Sequence, residues 1–333
     1  MLLVDEALAG NRRALARLIS QVEDDGSMAA QTLAAIYPHT GRAQVIGITG
    51  SPGTGKSTLA SELAKAYRHA GWTVGIVAVD PTSPFTGGAL LGDRIRMRDL
   101  AGDSGVFIRS MATRGSLGGL ARATANVVQI LDAVGYRVIL IETVGAGQSE
   151  VDIARTADTT LVVEAPGLGD EVQAIKAGIL EIADVLVVNK ADREGAANTV
   201  RALQAMLDLA SPRAVSHHAI TMTVGVPNPS AHSDDSPAWK PPVLQTVALE
   251  GKGIVEVVEA ITRHQAHLAE SGEGETRRRA RIGAELEVIL RETLLRRLMQ
   301  GLAPADVDGM VKRIAARELD PYTAAETLLS PRS

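Results

Sequence analysis

At 333 residues, 45% hydrophobic and 22% charged, the chain can bury a full core, with room for one domain of roughly 200 residues plus additions. A formal charge of -5 excludes a broad phosphate-backbone footprint, so nucleic acid is not an expected partner. The absence of cysteine excludes disulfides, thiolate zinc sites and thiol nucleophiles, and suits a reducing compartment such as the cytoplasm.

The first forty residues read as helices, because Leu15, Leu18, Ile19 and Val22 recur at one-face spacing behind a Gly10-Asn11 start signal. Residues 1–41 therefore form an expected N-terminal helical extension. Asp5 and Glu6 precede any apolar segment, and no apolar run reaches the roughly 20 residues that span a bilayer, so neither export signal nor membrane anchor is expected. From residue 44 short β-branched runs alternate with helical stretches: Val45-Ile48, Val74-Val79, Val106-Ile108, Val138-Ile141, Leu161-Val163, Val185-Val188 and Val243-Leu249. Continuous apolar strands separated by helices predict an α/β domain over 42–270, with a mostly parallel central sheet covered by helices on both faces.

The run Gly50-Ser51-Pro52-Gly53-Thr54-Gly55-Lys56-Ser57 follows the first strand and opens a helix, and so matches the phosphate-binding P-loop in the context that confirms it. Its chemistry requires these residue types. Glycines let backbone N–H groups curl around phosphate oxygens, the helix N-terminus adds its positive end, and Lys56 bridges the β- and γ-phosphates. Ser57 directs its hydroxyl at Mg²⁺, and Thr58 completes the nucleotide-binding set. A Gly-rich turn that only joins strand to helix is the bland alternative, and the Lys-Ser pair at its end disfavours it. The ion needs carboxylates at the C-terminal ends of adjacent strands. Asp80, Glu142 and Asp93 are the candidates, the last in the Gly-rich stretch Thr86-Asp93; an acid after a strand is more often a helix cap when taken alone.

Gly145-Ala-Gly147-Gln148 and Gly167-Leu-Gly169-Asp170 stand where loops respond to a γ-phosphate. Gln148 is a candidate for orienting the attacking water, with a polar loop anchor as its alternative. Arg94, Arg96, Arg98, Arg109 and Arg114 include candidate charge-neutralising fingers, although surface pairing accounts for most such arginines.

Val185-Leu-Val-Val-Asn189-Lys190-Ala191-Asp192 runs a buried strand into an Asn-Lys-x-Asp box. A carboxylate at Asp192 accepts from N1–H and the exocyclic amine of guanine together, which adenine does not offer. Asn189 fixes the loop and the Lys190 stem covers the base face. Ala248 and Leu249 are candidates to present a backbone N–H to guanine O6. GTP and GDP with Mg²⁺ are the expected ligands.

The interval 211–242 holds six of the fourteen prolines and three of the seven histidines without a hydrophobic period, which reads as a long loop or insertion. His217, His218 and His232 read there as solvated residues rather than metal ligands. After Ser271-Gly272-Glu273-Gly274 the apolar residues Ile282, Leu286, Leu290, Leu294 and Leu298 recur every four positions, which predicts a helix of about six turns in a C-terminal arm over 271–333. Its apolar face packs either on the same chain or as a dimer arm.

Beyond the generic boxes stand Ala78-Val-Asp-Pro-Thr-Ser, Thr86-Gly-Gly-Ala-Leu-Leu-Gly-Asp-Arg, Phe107-Ile-Arg-Ser-Met-Ala-Thr-Arg-Gly, Glu142-Thr-Val-Gly-Ala-Gly-Gln-Ser-Glu and Gly169-Asp-Glu-Val-Gln-Ala-Ile-Lys. On these stretches the chain resembles the MeaB/ArgK family of P-loop GTPases, associated with methylmalonyl-CoA mutase, from Gly10 to about Leu298. The 211–242 insertion, and Val247 where the family more often has Ser, are departures from it. The resemblance implies that Asp80, Asp93 and Glu142 surround magnesium, and that a third switch runs from about Ala165 to Lys176, with Lys176 coupling to the partner. Lys56, Glu142, Gln148 and Lys176 are then the candidate catalytic set. It further implies a homodimer through the C-terminal helices and a GTP-gated chaperone role toward an adenosylcobalamin-dependent acyl-CoA mutase. An ATPase or kinase serving amino-acid transport, a label carried within the family, is the alternative reading. Metal insertion into an enzyme and a nucleotide-gated binding module with negligible turnover are two others.

Overall fold

The computed structural model describes residues 2–23, 27–80, 97–100, 102–112, 119–143, 149–167, 180–209 and 238–329. Seven strands, β1 (Gln44–Thr49), β2 (Val74–Asp80), β3 (Val106–Ala112), β4 (Val138–Thr143), β5 (Thr159–Glu164), β6 (Val185–Asn189) and β7 (Val243–Thr246), form one sheet in the order β3-β2-β4-β1-β5-β6-β7. Every pairing is parallel. The expected α/β architecture is therefore present, with all seven strands in place.

Side-chain alternation explains why the strands read as unbroken apolar runs. Ile46, Ile48, Ile76, Val138, Leu140, Leu161, Val163, Val185 and Val187 pack on one face with helices α4 (Lys56–His69) and α8 (Ile254–Glu270). Val45, Val77, Val79, Ile139 and Ile141 face the other side, toward α1 (Leu2–Leu8), α2 (Arg12–Glu23), α3 (Ser27–Ile36), α5 (Gly119–Ala133) and α6 (Ser149–Thr156). Val162, Leu186 and Val188 pack with Leu203 of α7 (Ala196–Leu209).

The N-terminal helices are part of this core. Leu15, Leu18, Ile19 and Val22 of α2 are all buried in the cluster that contains Val77 and Ile139 of the sheet. Asn11 caps α2, its Oδ1 accepting from the backbone N–H groups of Arg13 at 3.0 Å and Ala14 at 3.2 Å. Arg12 then donates to the carbonyls of Ser104 and Val106 at 2.8 and 2.6 Å, which ties the start of α2 to the loop that feeds β3.

The last strand is shorter than the apolar run Val243-Leu249. β7 ends at Thr246 because Val247 turns back to pair with Lys252 in an antiparallel bridge, and Ala248–Glu250 forms one 3-10 turn. The chain divides into two units, whose described residues are 2–275 and 276–329. The second comprises α9 (Glu273–Gly301) from residue 276 on, with α10 (Pro304–Ala315) and α11 (Pro321–Leu329). At 29 residues α9 runs about eight turns, longer than the periodicity indicated, because it starts at Glu273, well before Ile282, and runs past Leu298 to Gly301. Ile282, Leu286, Leu290 and Leu294 on it are exposed. No helix among the described residues is long and apolar enough to cross a membrane.

Leu18→Ala removes a fully buried side chain from α2 and is expected to cost about 2–5 kcal/mol. In urea denaturation followed by far-UV circular dichroism, the main transition shifts to lower denaturant as a whole. A separate early melting of a small helical fraction, with the main transition unmoved, would contradict a shared core.

Candidate nucleotide-binding site

β1 ends at Thr49 between β4 and β5, and the chain leaves the sheet there as the loop Gly50–Gly55 before α4 begins at Lys56. Gly50 has φ 133° and lies so close to the neighbouring strand that a Cβ would sit 2.1 Å from the Val163 carbonyl oxygen. Gly55 has φ 94°, and a Cβ there would meet the Asn189 amide at 2.4 Å. Both positions demand glycine on conformation and on space. Gly55 also supplies no side-chain cap to α4, so the N–H groups of the helix's first turn point at the loop as ready anion donors.

Lys56 is buried, and its ammonium donates to the Gly50 and Ser51 carbonyls at 2.8 and 2.9 Å, which holds the positive charge inside the loop. Ser57 hydrogen-bonds Glu142, whose carboxylate is buried at the end of β4. Beside them Thr143 donates to the Thr49 hydroxyl at 3.1 Å. Hydroxyl and carboxylate oxygens suit a hard divalent cation such as Mg²⁺, so this pair fits the expected ion in chemistry. Asp80 closes β2 on the same sheet edge, where Ala78 is in register with Glu142 and Val79 with Thr143. Among the described residues no three acids or histidines assemble into a metal cluster. Asp93, Gln148 and Lys176 lie outside the described residues, as do Arg94, Arg96, Arg114 and the histidines of the 211–242 insertion. Arg109 is paired with Glu23 and Ser20 of α2, which accounts for its charge.

The Asn-Lys-x-Asp box follows β6. Asn189 is buried, its Nδ2 donates to the Thr54 carbonyl at 2.9 Å, and its Oδ1 accepts from Thr246 Oγ1 and the Ala248 N–H, each at 3.1 Å. One amide thereby joins the phosphate loop, the base box and the turn after β7. Lys190 takes the left-handed conformation at φ 57°, and its ammonium donates to the Gly53 carbonyl at 2.5 Å. Its stem therefore lies alongside the phosphate loop.

On the base side the Ala248 N–H, one of the two expected donors to guanine, is taken by Asn189, while the Leu249 N–H has no partner among the described residues. The Leu249 side chain is 86% exposed beside it. Asp192 is exposed in the turn after β6. The hydrogen bond and charge of Glu250, and further off the charge of Asp192, hold the Lys252 ammonium above its ordinary value.

Sequence reasoning missed Thr246 and Glu164. Thr246 gives no signal in sequence, because its role depends on the parallel pairing that sets it opposite Asn189. Glu164 is a buried acid at the end of β5 whose Oε1 lies 3.5 Å from Ser51 Oγ. The rule that flags Glu142, an acid directly after an apolar strand, flags Glu164 equally.

The sequence model of the family described as Methylmalonyl Co-A mutase-associated GTPase MeaB matches residues 15–303. A Pyrococcus horikoshii protein with a provisional GTPase name is 48% identical over 98% of this chain and 96% of its own length. The Escherichia coli GTPase ArgK is 35% identical over 79% and 75%. The mouse mitochondrial Methylmalonic aciduria type A homolog is 32% identical over 85% of this chain and 64% of its own. Among solved structures, one described as LAO/AO transport system kinase has a TM-score of 0.68 at 26% identity, covering 98% of this chain and 95% of that one.

Replacing Asn189 with Ala strands the buried Ala248 N–H and the Thr54 carbonyl, at about 1–3 kcal/mol for each unsatisfied group. The expected outcome is GTP affinity lower by about 10–100-fold with a lowered melting temperature, read by titration calorimetry and scanning calorimetry. Affinity within twofold of the parent would contradict the bridging role.

Proposed function

The chain belongs to the methylmalonyl-CoA mutase-associated GTPase (MeaB) family and is a GTPase, and from that premise we propose how its site works and what it serves. The phosphates lie in Gly50–Ser57 with Thr58, held by loop N–H groups, the first turn of α4 and the Lys56 ammonium. Ser57 and Glu142, with Asp80 and Asp93 as further acids, would hold Mg²⁺, which would supply charge neutralisation at the phosphates. Within the protein, Lys56 and the fixed loop stabilise charge that grows on the transferred phosphoryl oxygens. Gln148 orients the attacking water. Lys176 couples the third switch to the partner.

Guanine is selected at the other end. Asp192 accepts two hydrogens from the base, the Leu249 N–H donates to O6, Asn189 holds the loop, and the Lys190 stem covers one face. The observation that carries this reading is the Asn189 amide, because it fixes the base box to the phosphate loop at hydrogen-bonding distance on both sides.

The family description and the mouse relative's name support a mutase-directed role. In it, the GTPase loads and protects an adenosylcobalamin-dependent acyl-CoA mutase in the cytoplasm. Moving a two-state partner from 1:99 to 99:1 takes about 5.5 kcal/mol of differential binding, and hydrolysis resets it. The helices beyond residue 275 form the arm of a homodimer, for which the exposed Leu286, Leu290 and Leu294 provide an apolar face. A second reading, an ATPase or kinase for amino-acid transport, has in its favour the description of the similar solved structure. It requires a site that accepts adenine, which Asp192 opposes.

Asp192→Asn is expected to lower GTP affinity by about 10-fold or more and to relax the preference over ATP, in a competition assay with fluorescent GDP. An unchanged GTP/ATP ratio would sink the base assignment. For the partner, multiple-turnover phosphate release is measured with and without an adenosylcobalamin mutase. The mutase is expected to change the rate, and an identical rate, with no complex on gel filtration, would refute the chaperone role.

A further inference from the structure

The sheet order places β1 between β4 and β5, so the phosphate loop emerges between two strand ends. Each strand carries a buried acid at or one residue before its end. Glu142, 4% exposed, meets Ser57 at the helix side of the loop; Glu164, 5% exposed, approaches Ser51 at the strand side, with 3.5 Å between Oε1 and the hydroxyl oxygen. Glu142 has a role in the metal chemistry proposed above. Glu164 has none there, yet burying a carboxylate is costly and a site for several phosphate charges is an unfavourable place for one.

The phosphate loop and the end of β5 are packed closely together. Gly50 is pressed against the Val163 carbonyl, the residue before Glu164, so loop and strand end stay together. Lys56 donates to the carbonyl of Ser51, the same residue whose hydroxyl faces Glu164. The cation that receives the phosphates and the carboxylate that opposes them thus act through one residue of the loop.

We infer that Glu164 is an affinity-setting residue: its buried negative charge weakens the hold of the loop on nucleotide phosphates and speeds nucleotide release. The inference rests on the reading that guanine-nucleotide phosphates occupy Gly50–Ser57. A charge buried beside the loop is poorly screened by water and salt, so its effect grows with the number of phosphate charges. A nucleotide switch that must be reset benefits from such a brake on affinity.

Glu164→Gln keeps size and hydrogen-bonding capacity and removes the charge. Affinities for GMP, GDP and GTP are measured by titration calorimetry in the full chain with Mg²⁺, and GDP release by stopped flow with fluorescent GDP. The expected result is tightening by about tenfold or more for GTP, less for GDP and least for GMP, with GDP release slowed in proportion. Unchanged affinities, or one uniform weakening across the three nucleotides as a positioning role through Ser51 would give, would overturn the inference. Glu164→Met, of similar volume and without charge, is expected to give the same gradient should the Gln variant fold poorly. Lys56→Ala serves as the separate control: it loses GDP and GTP if the phosphates occupy the loop, and parent-like binding by it removes the site reading and the inference together.

Discussion

The site depends on one buried amide. Asn189 contributes both ends of its side chain to other segments: its N–H to the phosphate loop at Thr54, its oxygen to Thr246 and the Ala248 N–H. Because each of these groups is buried, each hydrogen bond that is lost leaves a partner unsatisfied, so the three loops hold one another in place. Gly55 is part of the same constraint, since only a residue without a side chain lets the loop approach that amide. A nucleotide whose phosphates lie at one loop and whose base lies at the others meets a frame of fixed dimensions, and preorganisation of this kind lowers the entropy lost on binding.

The sheet explains where this frame stands. In a parallel sheet all strand C-termini share one edge, and β1 sits where neighbouring connections lead to opposite sides, at β4 and β5. Thr49, Asp80, Glu142, Glu164, Asn189 and Thr246 all end strands at that edge or stand one residue from it. Strand interiors carry apolar residues for the two helical layers, and strand ends carry the polar groups that chemistry needs. The N-terminal helices strengthen the platform by covering the face of β1, β2 and β4 away from α4, which is why truncation before Arg12 or within α2 is a core lesion rather than the loss of an appendage.

Much of this was legible in the sequence. The seven strands follow from apolar runs bounded by breakers, and α2 from the spacing of Leu15, Leu18, Ile19 and Val22 with Asn11 before it. The loop Gly50–Ser57 and the box at Asn189 stand out because glycine, lysine and amide are needed there for reasons that act within a few residues. What depends on strand pairing was not legible. Thr246 reaches Asn189 only through the register of β6 with β7, and the end of β7 three residues early reflects the return of Val247 to Lys252. Ala248 reads in sequence as a donor to the base, but its N–H is committed to Asn189. Glu164 carries the same signal as Glu142, an acid at the end of an apolar strand, but only the packing of β5 against β1 sets it beside Ser51.

We propose that phosphate loop and base box form a single guanine-selective site. The decisive measurement is equilibrium binding of GTP and ATP to the unmodified protein in Mg²⁺. Two hydrogen bonds to guanine that adenine cannot make, and one donor it would leave unpaired, predict GTP tighter by about 100-fold or more. Equal affinity for the two nucleotides would contradict it.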